Sequence, residues 1–343
     1  MSAPLIARVA RARIAGQWVT DAVVELRDTG MRLMHEHEAP ARIRTRIDRT
    51  LLPPITDAHV HLGLADAALP EPTALARVLD LGWAPAALPS LIDAVTRAHR
   101  GLDVRFAGPF HAAVGGYPSG RDWSAPGAVS ELADAADAAR SIRAQVAAGA
   151  SVIKVTLNAE SGPVPDDALL AAIAEETHGA GLLLVAHVQG AGQTERALAA
   201  GVDVLAHTPW TERLSDAVVQ AAAGRQIWIS TLAMHQRDGD ARASARAIDN
   251  LARFAAAGGA IAYGTDLGNG LAAFDIDALE LDALRQAGLG DTAIVDALLA
   301  EPLLSAGPSC SSFPAHVDSD AAVIATLHRS KPVHRSWFEP EDA

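Results

Sequence analysis

From Ile55 onward the chain repeats one kind of junction. An alanine-rich stretch of helical character reaches glycine, and a short run of aliphatic and β-branched residues follows within a few positions. Ala148-Gly149-Ala150 precedes residues 152–155, Ala180-Gly181 precedes 182–186, and Ala200-Gly201 precedes 202–206. The same junction places Ala223-Gly224 before 227–230 and Gly258-Gly259 before 260–263. Glycine just past a helix end closes the last turn in a left-handed conformation, so each junction marks a helix giving way to a strand. Runs that are apolar on both faces belong to a parallel sheet covered on both sides. With residues 52–59, 76–81 and 103–108 the strands number eight, each followed by room for a helix. Eight such units over about 250 residues predict an α/β fold of the TIM-barrel, (β/α)8 type. Residues 75–81 also fit a helix, which makes the second strand the least determined.

Residues 5–50 have a different texture, alternating apolar and polar residues in short pieces as a small antiparallel sheet requires. After Glu301-Pro302 the repeat stops. Residues 305–309 read as a linker, and 320–325 and 333–338 as two further strands that complete the N-terminal sheet. Residues 115–123 form a glycine-containing loop after the third strand, a candidate lid or an inert surface loop.

Charge and composition exclude several classes of function. The net charge of −13 argues against nucleic-acid and anionic-membrane partners, which need basic patches. Cys310 is the only cysteine, so no intrachain disulfide forms. The first residues lack a basic segment followed by a long apolar core, and no apolar run reaches membrane-spanning length. A cytoplasmic enzyme acting on a small molecule is expected, and a homo-oligomer is compatible with the sequence.

The candidate chemistry starts at Ile55-Thr56-Asp57-Ala58-His59-Val60-His61. On a strand, residues i and i+2 share a face, so His59 and His61 project side by side as two potential metal ligands. A second pair, His35 and His37, lies among charges without an apolar lead-in and reads as a solvated loop. Lysine is rare: only Lys154 and Lys331 stand among 28 basic side chains. Lys331 sits in a polar tail, whereas Lys154 interrupts the apolar run Ser151-Val152-Ile153-Lys154-Val155. Barrel active sites form at the C-terminal ends of the strands. His59 and His61 fall at the end of strand one, Lys154 in strand four, His187 on five, His207 on six and Asp266 after eight.

Together these segments resemble the imidazolonepropionase- and prolidase-like branch of the amidohydrolase superfamily, over nearly the whole chain. The resemblance rests on residues 55–61, 149–155, 200–207 and Gly264-Thr265-Asp266. It implies two divalent metal ions, most simply Zn2+, with His59, His61 and Asp266 on the more buried one and His187 and His207 on the other. It further implies that Lys154, carboxylated by carbon dioxide, would bridge both. It also implies a small discontinuous β-sandwich from residues 1–52 and 306–343 beside a catalytic barrel spanning 53–305. A bare ammonium is costly to bury in an apolar strand; a carbamate replaces it with an anion offering one oxygen to each cation. On the same resemblance, two such ions would make a water acidic enough to attack a carbonyl, and Asp266 would carry the proton to the leaving nitrogen. The chain departs from the family where His207 is followed by Thr208-Pro209-Trp210 instead of glycine, and its C-terminal segment is short.

Deaminating members carry a glutamate shortly after the strand-five histidine, and Val188-Gln189-Gly190 supplies none. Hydrolysis of a cyclic or N-acyl amide is therefore expected, with a lactone or carboxylic ester second. A Schiff-base lyase using the Lys154 amine would not need four histidines, and a non-catalytic scaffold would be expected to have lost ligands. Trp83, Phe110, Tyr117, Trp123 and Trp210 place five of 14 aromatic residues in loops above the strands. They suit an apolar or ring-bearing ligand, with ordinary loop packing as the alternative. His235 is placed to hydrogen-bond a substrate carbonyl, and Arg121 and Arg213 to meet a carboxylate or to remain solvated.

Overall fold

The computed structural model describes residues 4–338 apart from 36, 70, 271–272 and 305. The strands are β1 (Leu5–Ile14), β2 (Gln17–Arg27), β3 (Gly30–Leu33), β4 (Thr45–Leu52), β5 (Thr56–Val60), β6 (Arg77–Asp80), β7 (Asp103–Phe106) and β8 (Phe110–Ala113). They continue as β9 (Val129–Leu132), β10 (Val152–Asn158), β11 (Leu183–Gln189), β12 (Val204–Leu205), β13 (Ile227–Ile229), β14 (Ala260–Ala262), β15 (Ser309–Pro314) and β16 (Lys331–His334). The helices are α1 (Leu88–Ala98), α2 (Ala135–Ala148), α3 (Asp167–Gly179), α4 (Gln193–Ala199) and α5 (Asp216–Ala223). After them come α6 (Ala233–Arg237), α7 (Ala241–Ala256), α8 (Ala278–Gln286), α9 (Asp291–Leu299) and α10 (Asp320–Ala325). Among the described residues, no helix is long and apolar enough to cross a membrane.

Parallel strands and helices alternate through the middle of the chain. The strands form one sheet in the order β14-β13-β12-β11-β10-β8-β9 and another in the order β5-β6-β7. The segment that also fitted a helix is strand β6, fully buried and paired with both β5 and β7. Its neighbours decide its state, because four buried residues carry no helical stripe of their own. The ladders do not run unbroken between the two sheets. At one seam β7 pairs with β6, the chain kinks through Gly108 at φ 89°, and its continuation β8 pairs with β10. Ser151 N also donates to Phe106 O there (2.8 Å). At the other seam Ala58 N donates to Tyr263 O (2.9 Å), Asp266 N to His59 O (2.9 Å) and His61 N to Leu267 O (2.8 Å). One apolar cluster draws on both sheets: Ala58 of β5, Leu79 of β6, Ala107 just past β7, Val152 of β10, Val185 of β11, Val204 of β12, Ile229 of β13 and Ala262 of β14 are all buried within it.

The terminal segments meet in one hydrogen-bonded sheet of order β16-β15-β4-β1-β2-β3, with its own apolar cluster that includes Val9, Val24, Leu51 and Cys310. Two expectations need correction here. Residues 320–325 form helix α10, whose N-cap Ser319 accepts from Ala322 N. Six residues of alanine, valine and isoleucine suit either state, and the cap decides. The strand that pairs with β4 is β15, starting at Ser309 in the stretch expected as linker. Its Ser-Cys-Ser-Ser composition gives no strand signal; pairing with Leu51 and Leu52 makes it one. Of residues 333–338, only the start is strand, and a 3-10 turn follows. The loop 115–123 runs between β8 and β9, a pair of parallel strands that sequence reasoning did not separate.

Candidate metal centre

Two strands in register supply one wall of the site. β10 and β11 pair so that Lys154 lies opposite Val185 and Thr156 opposite His187. Alternation puts Val152, Lys154 and Thr156 on one face and Val185, His187 and Gln189 on the matching face. Val152 and Val185 lie in the interior apolar cluster, and the other four line a cavity of about 410 Å³ above it. On β5 the pairing with β6 slips between Asp57 and Val60, a bulge that re-aims the strand just where the histidines occur. His59 and His61 both line the cavity as a result, with their Nε2 atoms 3.2 Å apart. The second pair, His35 and His37, lies exposed in a turn far along the chain.

The imidazoles are oriented by what holds their other nitrogens. His59 Nδ1 donates to Ala206 O (2.8 Å), and His61 Nδ1 lies 3.2 Å from Gly82 O. His207 Nδ1 meets Thr231 Oγ1 (2.9 Å), and His187 Nε2 lies 3.4 Å from Gln189 Oε1. Burial keeps His59 and His207 neutral, their pKa well below the ordinary value, and pushes His187 down to about 4, with the Lys154 charge adding to the effect in each case. A neutral ring whose one proton faces a carbonyl presents a bare lone pair on its other nitrogen. His59 Nε2 therefore turns a lone pair inward, 3.2 Å from Asp266 Oδ1. His61 Nε2 is 3.3 Å from the same oxygen. Ligating atoms of His59, His207 and Asp266 all lie within 4.8 Å of one another. Electron-rich atoms converging in this way repel unless a cation sits among them, so the donor set fits a metal ion.

Asp266 occupies an unusual backbone position, φ 57°, just past β14. Its own N–H donates to His59 O, and its Oδ2 accepts from Asn269 Nδ2 (3.0 Å). Burial pushes its carboxyl up, but the contacts with His61, His207 and Asn269 outweigh this and hold it well below the usual carboxylate range. Lys154 is 1% exposed; burial pulls its pKa down to about 7 against the attraction of Asp266 and Asp80. An amine in that range is partly neutral at physiological pH.

Several supporting residues escaped sequence reasoning. Asp57 accepts from Thr265 Oγ1 (2.5 Å), Thr265 N (3.1 Å) and His59 N (3.0 Å), tying the start of the His pair to the segment that carries Asp266. Asp80, buried at the end of β6, accepts from Leu62 N (2.8 Å) and Gly82 N (3.0 Å) and so fixes the carbonyl beside His61. Glu280 on α8 accepts from Ala233 N (2.7 Å) and anchors the start of the helix that carries His235. Burial raises both Asp57 and Glu280 to about 7. Asp57 could have been noticed from its place within the His59 motif; nothing in the sequence marks Glu280, which is 47 residues from its partner.

Of the residues assigned to substrate, Tyr117, Trp210 and His235 line the cavity, with Phe110 and Trp123. Trp83 does not. It is buried against Ala84, Leu88 and Ala128, its ring over Gly63. Arg121 lies outside the cavity with its guanidinium 5.6 Å from the Tyr117 ring centre, and Arg213 is an exposed partner of Asp249 (3.0 Å).

Neither the family models nor the curated proteins contain a match to this chain. Solved structures do. A Xaa-Pro dipeptidase with bound methionine superposes with a TM-score of 0.70 at 16% identity, covering 96% of this chain and 97% of that one. Ochratoxinase from A. niger gives 0.71 at 16% identity, with 94% and 91% covered. Molinate hydrolase gives 0.67 at 14% identity, with 97% and 94% covered. The chain has an amidohydrolase-type fold. Within this amidohydrolase-type fold, the cavity opens at the C-terminal ends of the parallel strands, where His187 and Gln189 end β11 and Asp266 follows β14.

Proposed function

We propose that the chain is a metal-dependent hydrolase that cleaves a C–N amide bond, cyclic or N-acyl, on a complete (β/α)8 barrel spanning residues 53–305. The barrel reading is supported by the interior cluster, which draws on strands of both sheets, and by the hydrogen bonds across both seams. Residues 1–52 and 306–343 form the second domain in this reading. His59, His61 and Asp266 would hold one divalent ion and His187 and His207 a second, with Lys154 as its carbamate between them. The observation that carries the proposal is the inward convergence of the His59, His61 and Asp266 donor atoms, with both imidazole Nε2 atoms within 3.3 Å of Asp266 Oδ1. When bound, such ions polarise a carbonyl and make a water acidic enough to lose its proton near neutral pH.

The chain's own residues supply the rest. Asp266 has a carboxylate oxygen facing the cavity floor; it takes the proton of the attacking water and delivers it to the departing nitrogen, which could not otherwise leave as an amide anion. His235, buried and neutral, is placed to donate a hydrogen bond to the substrate carbonyl oxygen. Phe110, Tyr117 and Trp123 on one wall and Trp210 on the other enclose the acyl group and exclude bulk water. Names of the structural neighbours agree with this chemistry: a dipeptidase, ochratoxinase, molinate hydrolase and bottromycin amidohydrolase.

The test is metal content together with activity. Protein produced with ample zinc should retain about two metal ions per chain. It should hydrolyse at least one of a panel of hydantoins, lactams, N-acyl amino acids, Xaa-Pro dipeptides and lactones, and lose that activity on chelation. A folded, zinc-exposed chain that retains no metal overturns the proposal. Lactone turnover far exceeding every amide would move the assignment to an esterase.

A further inference from the structure

The cavity walls carry a charge pattern that the hydrolase reading does not require. Three carboxylates line it, Asp238, Asp240 and Asp266, against a single basic side chain other than histidine, Lys154. Asp266 and Lys154 are buried on the floor, whereas Asp238 and Asp240 are exposed and so belong to the rim. Both arginines expected to receive a substrate carboxylate lie outside the cavity. Asp240 is partly committed, since its Oδ1 caps α7 by accepting from Arg242 N (3.1 Å) and Ala243 N (2.9 Å). Asp238 accepts no hydrogen bond from any described residue.

The aromatic residues stand in the same space. Trp123 is set edge-on to Tyr117, with ring centres 6.1 Å apart, and the Trp210 ring packs against His235 with ring centres 5.0 Å apart. His235 is 4% exposed, faces the cavity and hydrogen-bonds to no described residue through its ring. It is a polar group waiting for a partner. Burial keeps that ring neutral, so it adds no positive charge to oppose the acids. Ring faces and carboxylates attract the same kind of group, since a cation is drawn to the negative face of a ring and to an anion alike.

We infer that the substrate carries a cationic arm, a protonated amine or an alkylated ammonium, held at the rim by Asp238 and Asp240 with Trp123 and Trp210, while its amide carbonyl reaches His235 and the floor. Tyr117 takes no part, because the Arg121 guanidinium already stands 5.6 Å from its ring centre. The word substrate rests on the hydrolase reading; the charge preference does not. A free carboxylate, the group that a Xaa-Pro dipeptide presents, would face the rim acids, and neither Arg121 nor Arg213 lines the cavity to receive it.

Three ligands of similar size and different charge separate the two questions: 2-phenylethylammonium, 2-phenylethanol and 3-phenylpropanoate, titrated calorimetrically into the full chain. At low salt the ammonium should bind about tenfold more tightly than the alcohol, and the carboxylate most weakly. The advantage should shrink at about 0.3 M salt, because the rim acids are exposed to screening. Asp238→Asn should reduce the ammonium-to-alcohol ratio, and adding Asp240→Asn, which keeps the α7 cap, should reduce it further. Equal binding of amine and alcohol, tightest binding by the carboxylate, or no detectable binding of the amine at millimolar concentration overturns the inference. In parallel, zinc-loaded protein is assayed on amides of the same scaffold bearing cationic, neutral and anionic arms. Preferred binding of the ammonium by a chain that turns over neither these amides nor any member of the wider panel leaves the charge inference standing and removes the hydrolase reading. Fastest turnover of the anionic amide does the reverse.

Discussion

Lys154 is one of two lysines in a chain that otherwise uses arginine, and it is the one that is buried. Arginine stays charged at any accessible pH, whereas a buried lysine can shed its proton and react with carbon dioxide. Lys154→Arg should therefore be as damaging as Lys154→Met, both losing turnover and at least one metal ion by elemental analysis. Acetate or propionate should restore part of the activity in Lys154→Met by entering the vacated space. A Lys154→Met protein with full metal content and normal turnover would make the lysine a packing residue. Asp266→Asn keeps an oxygen for a metal but cannot accept a proton. It should lower kcat by about 10²–10⁴-fold while metal content stays near that of the parent.

At the scale of elements, the site depends on how strand ends are pinned to one another. Gly264 lies where the segment after β14 passes β5: a Cβ there would press on Ile229 and come within 3.1 Å of His59 Cβ. Gly264→Ala should destabilise the fold by about 1–3 kcal/mol and shift His59, read as a lower Tm and weakened metal retention together. Thr231, which holds His207 Nδ1, sits at φ 45°, uncommon for a β-branched residue and a mark of strain kept for orientation. Glu280 secures the next turn through Ala233 N. Glu280→Ala leaves that buried donor unpaired and should cost about 1–3 kcal/mol in denaturant unfolding.

Across the whole molecule, the terminal sheet is locked to the helical layer by one buried cation. Arg13 of β1 is fully buried and pairs with Asp320 at the start of α10 (2.7 Å) and Asp296 of α9 (2.7 Å), residues some 300 positions away. Removing one member of a buried pair strands the others. Arg13→Ala should therefore destabilise by about 3–5 kcal/mol, or less to the extent that the exposed Asp296 stays solvated. Chelation should lower Tm in the parent, because ligands bound only by the folded state stabilise it by mass action. An unchanged Tm on chelation would count against a resident metal.

The sequence alone determined the alternation of helix and parallel strand, because glycine-closed helix ends and doubly apolar runs are local signals that need no partner to be read. It also determined that His59, Lys154 and His187 lie on strands and that His61, His207 and Asp266 follow strands within a few residues, since strand positions follow from the same periodicity. Tertiary structure alone decided the rest. β15 is a strand only because β4 is beside it. Trp83 packs inward over Gly63 and leaves the cavity to Trp123 and Trp210. Asp57, Asp80 and Glu280 orient the site through hydrogen bonds that are not written in any local pattern. The rim charge emerges only when Asp238 and Asp240 line the same cavity as Trp123 and Trp210 while neither candidate arginine lines it, an outcome set by the packing of distant segments.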